Sequence, residues 1–449
     1  MNIYKYLKSC TDVYHTTFDP KSPGVCRIHL IPPKKLKPQY PWIAIINGYS
    51  LIPIQASWAV LLKIFMENLN KTDGKALTEI DINNLMTATL KEAKKVFPGA
   101  LKKDMKKDLD DMISTFKDLA VGKEPSSEIG YMTLADYAKY MKAPHRMDLM
   151  VSAMEKDNHW NCNQHCLHCY AANEKKSNEK ELSLDEWKKV IDILKEAGVP
   201  QLTFTGGEAT IRKDLVEMVD YARWFVTRLN TNGILLTKDL CKKLYDASLD
   251  SVQVTIYSSD ESIHNTLIGG QHFKETIDGL KNALDSGLDV SVNTPLCNLN
   301  KDYLKTIKYL SSLGVTYFSC SGLIPTGNAK TLESEITRLS KEEITETLQT
   351  AYNYAKNNDL EISFTSPGWI DEDTLLEMNM VVPSCGACLS NMAIAPNGDV
   401  IPCQSWLNGL TLGNILTTPW KKIWNSKECK RVRKTASLEE QRCLLKEEK

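Results

Sequence analysis

The apolar positions of the first 121 residues alternate in short segments and then recur at helical spacing. Trp42 to Asn47 is rich in β-forming residues and ends in Asn47-Gly48, a dipeptide typical of a tight hairpin turn. Leu51 to Ile54 is the expected return strand, and helical spacing follows over Ser57 to Leu69 and from Lys91 to Leu119. The pattern predicts a small α+β domain over residues 1–125.

Between residues 148 and 325 the pattern changes to alternating strands and amphipathic helices. Six strand–helix units in a row predict a parallel sheet, either an open barrel or a doubly wound layer. We expect a partial barrel, with the chemistry at the carboxyl ends of its strands. The predicted strands are Asp148–Met154, Gln201–Thr205, Phe225–Asn230, Ser251–Tyr257, Val290–Thr294 and Val315–Ser319.

Two further boundaries follow from composition. Gly122 and Pro125 begin a connector, which we assign to residues 126–147. The barrel domain then covers residues 148–345. Residues 346–449, rich in Cys, Gly and Pro, are predicted to form a C-terminal domain.

The charge balance excludes some classes of protein. The chain has 449 residues, with 55 basic and 56 acidic ones, so nothing indicates a nucleic-acid or membrane-surface protein. The start lacks the basic-then-apolar order of a secretory signal. Leu51 to Met66, the most apolar stretch, is interrupted by Pro53 and Lys63 and is interpreted as core. We expect a soluble, cytoplasmic protein.

Three of the 13 cysteines lie together after the first strand of the alternating region: Cys162, Cys166 and Cys169. Three thiolates on one loop can hold three irons of a cubane cluster and leave the fourth iron open, as catalytic metal sites commonly do. The alternative is zinc, with His165 or His168 as the fourth ligand.

A second group consists of Cys385, Cys388 and Cys403. Asn397-Gly398 suits a hairpin turn that folds Cys403 back toward Cys388. A zinc ribbon is the alternative here. Of the other cysteines, Cys429 and Cys443 are given no role at this point. Five are interpreted as small buried apolar residues: Cys10, Cys26, Cys241, Cys297 and Cys320.

The first group resembles the CxxxCxxC signature of the radical S-adenosylmethionine (SAM) superfamily. The resemblance implies a 4Fe–4S cluster whose open iron binds SAM and whose electron releases a 5′-deoxyadenosyl radical. His168 matches the family's aromatic position that packs on adenine. Gly206-Gly207-Glu208 matches its GGE motif, in which the glutamate accepts from the SAM ammonium, although Ala209 replaces the usual proline.

Later strands match the family less sharply. The resemblance implies that Thr255 reaches the SAM ribose or carboxylate and that Asn293 is the next strand's polar contact. Gly322 to Gly327 resembles the family's sixth-strand loop beside adenine.

The second cysteine group resembles the opening of a SPASM domain or its shorter relative, the twitch domain. Both bind auxiliary 4Fe–4S clusters, and the supply of cysteines here fits one such cluster. Its fourth ligand is expected to be Cys443, with Cys429 or an open iron as the alternatives.

The N-terminal pattern resembles the winged-helix-like domain of enzymes that mature ribosomally made peptides. Such domains bind an extended leader peptide as an added strand. A winged helix could instead bind DNA, but Trp58 to Asn68 carries only Lys63 as a base. The partners expected are a precursor peptide and a reductant such as flavodoxin or ferredoxin, with neither nucleic acid nor membrane.

These features together predict a peptide maturase that forms a thioether or carbon–carbon cross-link. Anaerobic sulfatase maturases place a proton-accepting Asp after the corresponding auxiliary cysteine, whereas Gln404 follows Cys403 here. The alternatives are a radical SAM enzyme acting on a small molecule or cofactor precursor, a peptide epimerase, and a non-catalytic zinc or iron–sulfur module. No catalytic side chain is assigned.

Overall fold

The structure is a computed structural model and describes residues 3–18, 25–33, 35–37, 40–48, 50–72, 77–125, 127–331, 334, 337–438 and 441–446. The chain forms two compact units. The first contains Met1–His145 with the short segments Asp192–Gln201 and Trp224–Val226, and the second contains the remainder.

The first unit is built on a four-stranded antiparallel sheet in the order β1-β2-β3-β4. Its strands are β1 (Tyr14–Phe18), β2 (Cys26–Ile31), β3 (Trp42–Ile46) and β4 (Ser50–Ile54). Its helices are α1 (Ile3–Ser9), α2 (Ala56–Asn70), α3 (Glu79–Val96), α4 (Lys102–Ala120) and α5 (Leu134–Ala138).

The predicted hairpin is confirmed. Asn47 and Gly48 take positive φ angles of 46° and 69° between β3 and β4, as the tight turn requires. The Asn47 side chain also accepts from the Arg27 amide at 2.7 Å, which ties the turn to β2. The apolar stretch from Leu51 to Met66 becomes β4 and most of α2 and packs into the core of this unit, as expected.

The second unit contains most of a ten-stranded sheet in the order β13-β12-β11-β10-β9-β8-β5-β14-β15-β16. Its main strands are β5 (Arg146–Ser152), β8 (Gln201–Gly206), β9 (Val226–Thr231), β10 (Ser251–Thr255), β11 (Asp289–Pro295), β12 (Tyr317–Ser321) and β13 (Glu361–Phe364). Three C-terminal strands, β14 (Asn391–Ile394), β15 (Asp399–Ile401) and β16 (Gly413–Asn414), extend the sheet beyond β5. A separate hairpin is formed by β6 (Glu155–Lys156) and β7 (His159–Trp160).

Helices follow the strands as the alternating pattern predicts. They are α6 (Leu184–Ala197), α7 (Leu215–Tyr221), α8 (Lys238–Asp246), α9 (Glu261–Ile268), α10 (Phe273–Asp285), α11 (Tyr303–Ser312), α12 (Lys341–Lys356), α13 (Glu372–Glu377), α14 (Trp420–Trp424) and α15 (Lys427–Leu438). All six predicted strands are present within a few residues of their predicted bounds, so the α/β fold with a large parallel sheet is confirmed. The parallel strand β13 and the attachment of β14 to β5 were not predicted.

The central strands β9 and β10 are buried differently on their two faces. In β10, Val252 and Val254 are fully buried, whereas Gln253 and Thr255 are only partly buried. This alternation leaves one face of the parallel sheet polar and open to a ligand. No helix in the described part of the chain is both long and apolar enough to cross a membrane.

Candidate active site

The first cysteine loop follows the β6–β7 hairpin and is held by its backbone on one side. The amides of His165 and Leu167 donate to the carbonyls of Ile268 and Leu267, each at 2.9 Å. These carbonyls belong to the last turn of α9, whose end leaves carbonyl groups without helical partners. The loop is therefore docked on a helix terminus by hydrogen bonds that do not depend on its side chains.

The loop after β12 holds the cysteine loop on the other side. The Asn328 amide donates to the Cys169 carbonyl at 2.9 Å, and its side-chain nitrogen donates to the Cys166 carbonyl at 3.0 Å. The Ser334 hydroxyl donates to the Leu167 carbonyl at 3.2 Å. Sequence reasoning missed Asn328 and Ser334, because a side chain that binds a distant carbonyl leaves no local pattern.

Gly327 makes this second contact possible. Its φ is +57°, and a Cβ atom there would lie 2.4 Å from the Cys169 carbonyl oxygen. The family resemblance predicts that Gly322 to Gly327 lies beside adenine, and this stays a prediction. The structure shows that the end of this segment packs directly on the cysteine loop.

The three thiols are partly buried in their own loop. Burial is the main cause that raises the pKa of each, to about 12 for Cys162 and well above the ordinary value for Cys166. Such thiols are neutral without a metal, and cluster binding must deprotonate them. The donor set of three soft sulfur ligands suits iron–sulfur or zinc chemistry.

Within the described residues, no three or more His, Cys, Asp and Glu side chains are grouped as a single metal ion requires. A cubane binds each thiolate through a different iron, whereas the ligands of tetrahedral zinc all share one ion and stand roughly 3.8 Å apart.

The two histidines that could complete a zinc site have other contacts. The His165 ring stacks on Trp160 with 4.7 Å between centroids. His168 Nε2 lies 2.7 Å from the Thr337 hydroxyl, and burial, with Arg338 nearby, lowers the pKa of His168 to about 4. His168 is therefore a neutral ring held in place within the cysteine loop.

Gly206 and Gly207 lie at the end of β8, where they approach the neighbouring strand. Gly206 has φ +147°, and a Cβ there would lie 2.4 Å from the Ser152 carbonyl oxygen. A Cβ on Gly207 would lie 3.0 Å from the Ala153 carbonyl oxygen. The close approach of a ligand to these glycines stays a prediction, and the structure shows that they admit the end of β5.

Glu208 is buried and held by four hydrogen bonds. One carboxylate oxygen accepts from the Thr210 amide and hydroxyl and from the Thr231 hydroxyl, at 2.6–3.0 Å. The other accepts only from the Asn232 amide, at 2.8 Å. Since a carboxylate oxygen has two lone-pair directions, the second oxygen can accept from one more donor, such as an ammonium group.

Asn232 also connects this carboxylate to the cysteine loop. Its side-chain nitrogen donates to Asn163 Oδ1 at 2.6 Å, and Asn163 is the residue after Cys162. Sequence reasoning missed Asn232, although its place directly after β9 is where parallel sheets present functional side chains.

Thr255 and Asn293 lie side by side on adjacent parallel strands, in register with each other and with Ser319 of β12. The Ser319 hydroxyl donates to Asn293 Oδ1 at 3.1 Å, and Gln253 donates to the Ser319 oxygen at 3.3 Å. The four side chains form a polar row across the open face of the sheet.

The second cysteine group forms around the β14–β15 hairpin. The Cys388 amide donates to the Pro402 carbonyl at 3.0 Å, so Cys403 is folded back toward Cys388 as predicted. The turn between the strands contains Gly398 with φ +88°. Cys388 itself has φ +54°, a backbone conformation that is uncommon outside glycine and marks local strain.

Both remaining candidate cysteines approach this group, from different sides. Burial raises the pKa of the Cys403 thiol, and the nearby thiols of Cys443 and Cys385 raise it further. Cys388 instead shares a hydrogen bond with Cys429, which raises the pKa of Cys388 and lowers that of Cys429. Five cysteines from four separate segments therefore converge here.

A buried carboxylate lies close to this second group. Asp148 is 1% exposed on β5 and pairs with Arg146 at 2.9 Å. Its charge contributes to raising the pKa of both Cys403 and Tyr170, so it lies within electrostatic range of each. The sequence did not indicate a functional role for Asp148, because it lies at the start of a predicted apolar strand.

Two family patterns match the chain where these sites lie. Residues 161–310 match the family described as "Radical SAM superfamily", and residues 385–444 match SPASM, described as "Iron-sulfur cluster-binding domain". The chain therefore contains a radical SAM domain and a SPASM domain, and it is an enzyme of the radical SAM type. Its cofactors are SAM, a SAM-binding 4Fe–4S cluster and at least one auxiliary 4Fe–4S cluster.

Curated relatives have several named activities. The "AdoMet-dependent heme synthase" of Oleidesulfovibrio alaskensis is 28% identical over 285 residues, which are 60% of this chain and 72% of that protein. The "PqqA peptide cyclase" of Bradyrhizobium diazoefficiens is 35% identical over 153 residues, 33% of this chain and 40% of that protein.

Solved structures share the fold. SuiB of Streptococcus suis, bound to its precursor peptide SuiA, aligns with a TM-score of 0.57 and 14% identity over 88% of this chain and 87% of that one. The structure described as "Native anSMEcpe with bound AdoMet" aligns with a TM-score of 0.52 and 15% identity over 65% of this chain and 84% of that one.

Proposed function

We propose that this enzyme installs a thioether or carbon–carbon cross-link in a ribosomally made precursor peptide. A reduced SAM-binding cluster supplies the hydrogen-abstracting 5′-deoxyadenosyl radical from SAM. The chain's own residues would hold the cofactors, orient the peptide and accept the proton that the peptide loses when the cross-link forms, and the auxiliary cluster would take up the remaining electron.

The observation that carries the proposal is the N-terminal sheet domain. The likeness to SuiB extends over 88% of this chain, whereas that to the anSMEcpe structure extends over 65%. The difference is about the size of the N-terminal domain. A small antiparallel sheet with open outer strands can bind an extended peptide by adding it as a strand.

The two outer strands of that sheet are not equally suited to strand addition. In β4, Pro53 has no amide hydrogen, and the Leu51 carbonyl already accepts from the Met132 amide at 2.9 Å. In β1, the pairing with β2 leaves His15 and Thr17 facing outward. The His15 carbonyl is taken by the Asn70 side chain, so the amides of His15 and Thr17 and the Thr17 carbonyl are the groups proposed to pair with a leader peptide.

For the SAM site we propose Cys162, Cys166 and Cys169 as cluster ligands. Glu208 would accept from the SAM ammonium through its second oxygen, and His168 would pack on adenine. The polar row that contains Thr255 and Asn293 would bind the ribose and carboxylate. The two glycines of the motif, Gly206 and Gly207, bring the carboxylate to this position by letting β8 approach β5.

For the auxiliary cluster we propose Cys385, Cys388, Cys403 and Cys443 as ligands. Gln404 follows Cys403 and cannot accept a proton at working pH, which disfavours formylglycine formation by the route of sulfatase maturases. We propose that Asp148 accepts the proton that cross-linking releases. This carboxylate is buried on β5 and is not a sequence neighbour of Cys403.

A second candidate function is chemistry on a small molecule such as a porphyrin. It is favoured by the relatives named as heme synthases, whose similarity covers 60% of this chain. Peptide epimerisation would use the same sites. A peptide maturase needs its N-terminal domain to bind a peptide, whereas an enzyme that acts on a porphyrin does not.

Leader binding therefore tests the proposal. We would measure the fluorescence anisotropy of a labelled leader peptide, encoded beside the gene, with the full-length chain. We expect micromolar binding that weakens at least fivefold in Thr17→Pro, which removes one outward amide from β1. Thr17→Val keeps the outward amide and is the comparison. No binding by the wild type would favour the small-molecule reading.

A further inference from the structure

The C-terminal helix α15 divides its surface into two stripes. Lys427, Lys430, Arg431 and Lys434 are all exposed and stand at i, i+3, i+4 and i+7, so they lie on one side of the helix. The buried stripe on the opposite side contains Cys429, Val432 and Ala436. One side of α15 thus contacts the second cysteine group while the other carries four positive charges.

The contacts of Cys429 place this helix directly against the auxiliary site. Cys429 is fully buried and shares a hydrogen bond with Cys388. Arg433 donates to the Cys429 sulfur at 3.6 Å and to the Trp424 carbonyl at 3.1 Å, and its guanidinium lies 3.8 Å over the Trp424 ring. These contacts fix α15 to α14 and to the cysteines.

The charge of this segment is unusual for the chain. Residues 420–438 contain seven basic residues and one acidic residue, in a chain whose formal net charge is −1. The one acid, Glu428, pairs with Arg431 at 2.9 Å on the surface, where such a pair is weak. In contrast, α4 contains five lysines interleaved with five aspartates, so it presents no net charge.

We propose that the basic stripe of α15 is the docking surface for an acidic one-electron carrier protein. The proposal names the surface used by the external reductant already proposed as a partner. A carrier bound there would stand about one helix diameter, roughly 10 Å, from the auxiliary site. Per encounter the carrier loses one electron and the auxiliary cluster gains it, with no bond made and no proton moved. The auxiliary cluster would then pass this electron to the SAM-binding cluster, and Tyr170 lies within electrostatic range of cysteines of both groups, Cys169 and Cys403.

The charge complementarity is what selects this partner. Electron-transfer encounters use small interfaces and depend on opposite charges to steer the partners together. An acidic surface on the carrier and the stripe on α15 would attract over a Debye length, about 10 Å at 0.1 M salt. Binding should therefore weaken steeply as ionic strength rises.

The test measures binding directly and does not depend on turnover. Oxidised flavodoxin is titrated into the reconstituted enzyme by calorimetry at low salt, without any peptide substrate. Lys427→Glu/Lys430→Glu/Lys434→Glu should weaken the Kd at least tenfold and flatten its salt dependence. The matched control is Lys103→Glu/Lys106→Glu/Lys107→Glu on α4, which changes the net charge equally and should leave the Kd within twofold.

A second readout separates docking from cluster damage. SAM cleavage driven by dithionite should be unchanged in the α15 variant, whereas cleavage driven by reduced flavodoxin should fall at least tenfold. If the triple variant loses iron, Lys427→Gln/Lys434→Gln is measured instead, with at least a threefold loss of affinity expected. Because no peptide is present, failure of the peptide proposal does not affect this result.

Two results would overturn the proposal. One is a Kd for flavodoxin that changes equally in the α4 and α15 variants, or that changes in neither variant. The other is tighter binding of transfer RNA or of phosphatidylserine vesicles than of flavodoxin to the wild type, lost in the α15 variant. That outcome would assign the stripe to a polyanion instead.

Discussion

The two cysteine groups of this enzyme are assembled in different ways. Cys162, Cys166 and Cys169 lie within eight consecutive residues, and hydrogen bonds to α9 and to the loop after β12 hold their backbone. The second group draws on segments up to 58 residues apart, from Cys385 to Cys443, around a hairpin. The first site is a rigid loop, and the second depends on the fold of a whole domain.

Because of this difference, different substitutions should disrupt each site. In the first site, hydrogen bonds to backbone carbonyls fix the cysteine loop, so Gly327 and Asn328, more than 150 residues further along the chain, control its geometry. In the second, packing of α15 and of the segment around Cys443 decides which thiols converge. The following predictions test the contrast in order of decreasing effect.

Replacing Cys162, Cys166 and Cys169 by Ala should abolish 5′-deoxyadenosine formation, a loss of at least a thousandfold. Without these thiolates nothing binds the cluster that holds SAM. The auxiliary cluster should stay, because its proposed ligands lie more than 200 residues further along the chain. Chromatography of the nucleoside together with iron and sulfide analysis checks both parts, and SAM cleavage by the triple variant would contradict the assignment.

Replacing auxiliary ligands should have a different signature. Cys388→Ala/Cys403→Ala should keep part of the SAM cleavage but lose the product, since it removes only the second site. Wild-type product yield in this variant would mean that the second cluster is not needed for catalysis.

The fourth ligand can be decided by a matched pair. We expect Cys443→Ala to lose auxiliary iron, because Cys443 lies with Cys385 and Cys403, and Cys429→Ala to keep most of it. Mössbauer spectroscopy of each variant measures the cluster content. Loss in Cys429→Ala with retention in Cys443→Ala would exchange the two roles.

Gly327→Ala should destabilise the first site. A Cβ there meets the Cys169 carbonyl at 2.4 Å and φ is positive, so strain of about 1–3 kcal/mol is expected. Gly314→Ala is the control, since it also has a positive φ, +103°, but nothing lies within 4 Å of the added atom. Thermal unfolding should show a clearly larger loss for Gly327→Ala, and equal losses would mean that the contact is unimportant.

Asn328→Ala should have the smallest effect. It removes the side-chain hydrogen bond to the Cys166 carbonyl but leaves the backbone one to Cys169, so about 0.5–1.5 kcal/mol is lost. We expect a few-fold weaker SAM affinity and a shifted reduction potential for the SAM-binding cluster. Asn173→Gly removes the bond to Asn328 Oδ1 and accommodates the φ of +60° at this position, so it should leave both near wild type.

Much of this architecture could be predicted because its signals are local. The hairpin at Asn47-Gly48, the six barrel strands and the first cysteine loop all depend on residues close in sequence. The contacts of Asn328, the bonds of Asn232 and the burial of Asp148 could not be predicted. Each depends on a partner more than twenty residues away, and the sequence alone does not show which segments meet.

The same limit applies to the second cysteine group. The sequence spacing indicated Cys385, Cys388 and Cys403 as cluster ligands, and the predicted hairpin turn explained how Cys403 approaches Cys388. The approach of Cys429 to Cys388 arises from the helical periodicity of α15 and its packing against the hairpin. Only the folded structure shows that both late cysteines reach the site.

The central claim is that a precursor peptide is the substrate. Anaerobically reconstituted enzyme, SAM, a strong reductant and the short peptide encoded beside the gene would be followed by mass spectrometry of both the peptide and 5′-deoxyadenosine. We predict 5′-deoxyadenosine together with a peptide that has lost two hydrogens. 5′-Deoxyadenosine with an unchanged peptide mass and no deuterium gained from heavy water would contradict the peptide claim and favour a small-molecule substrate.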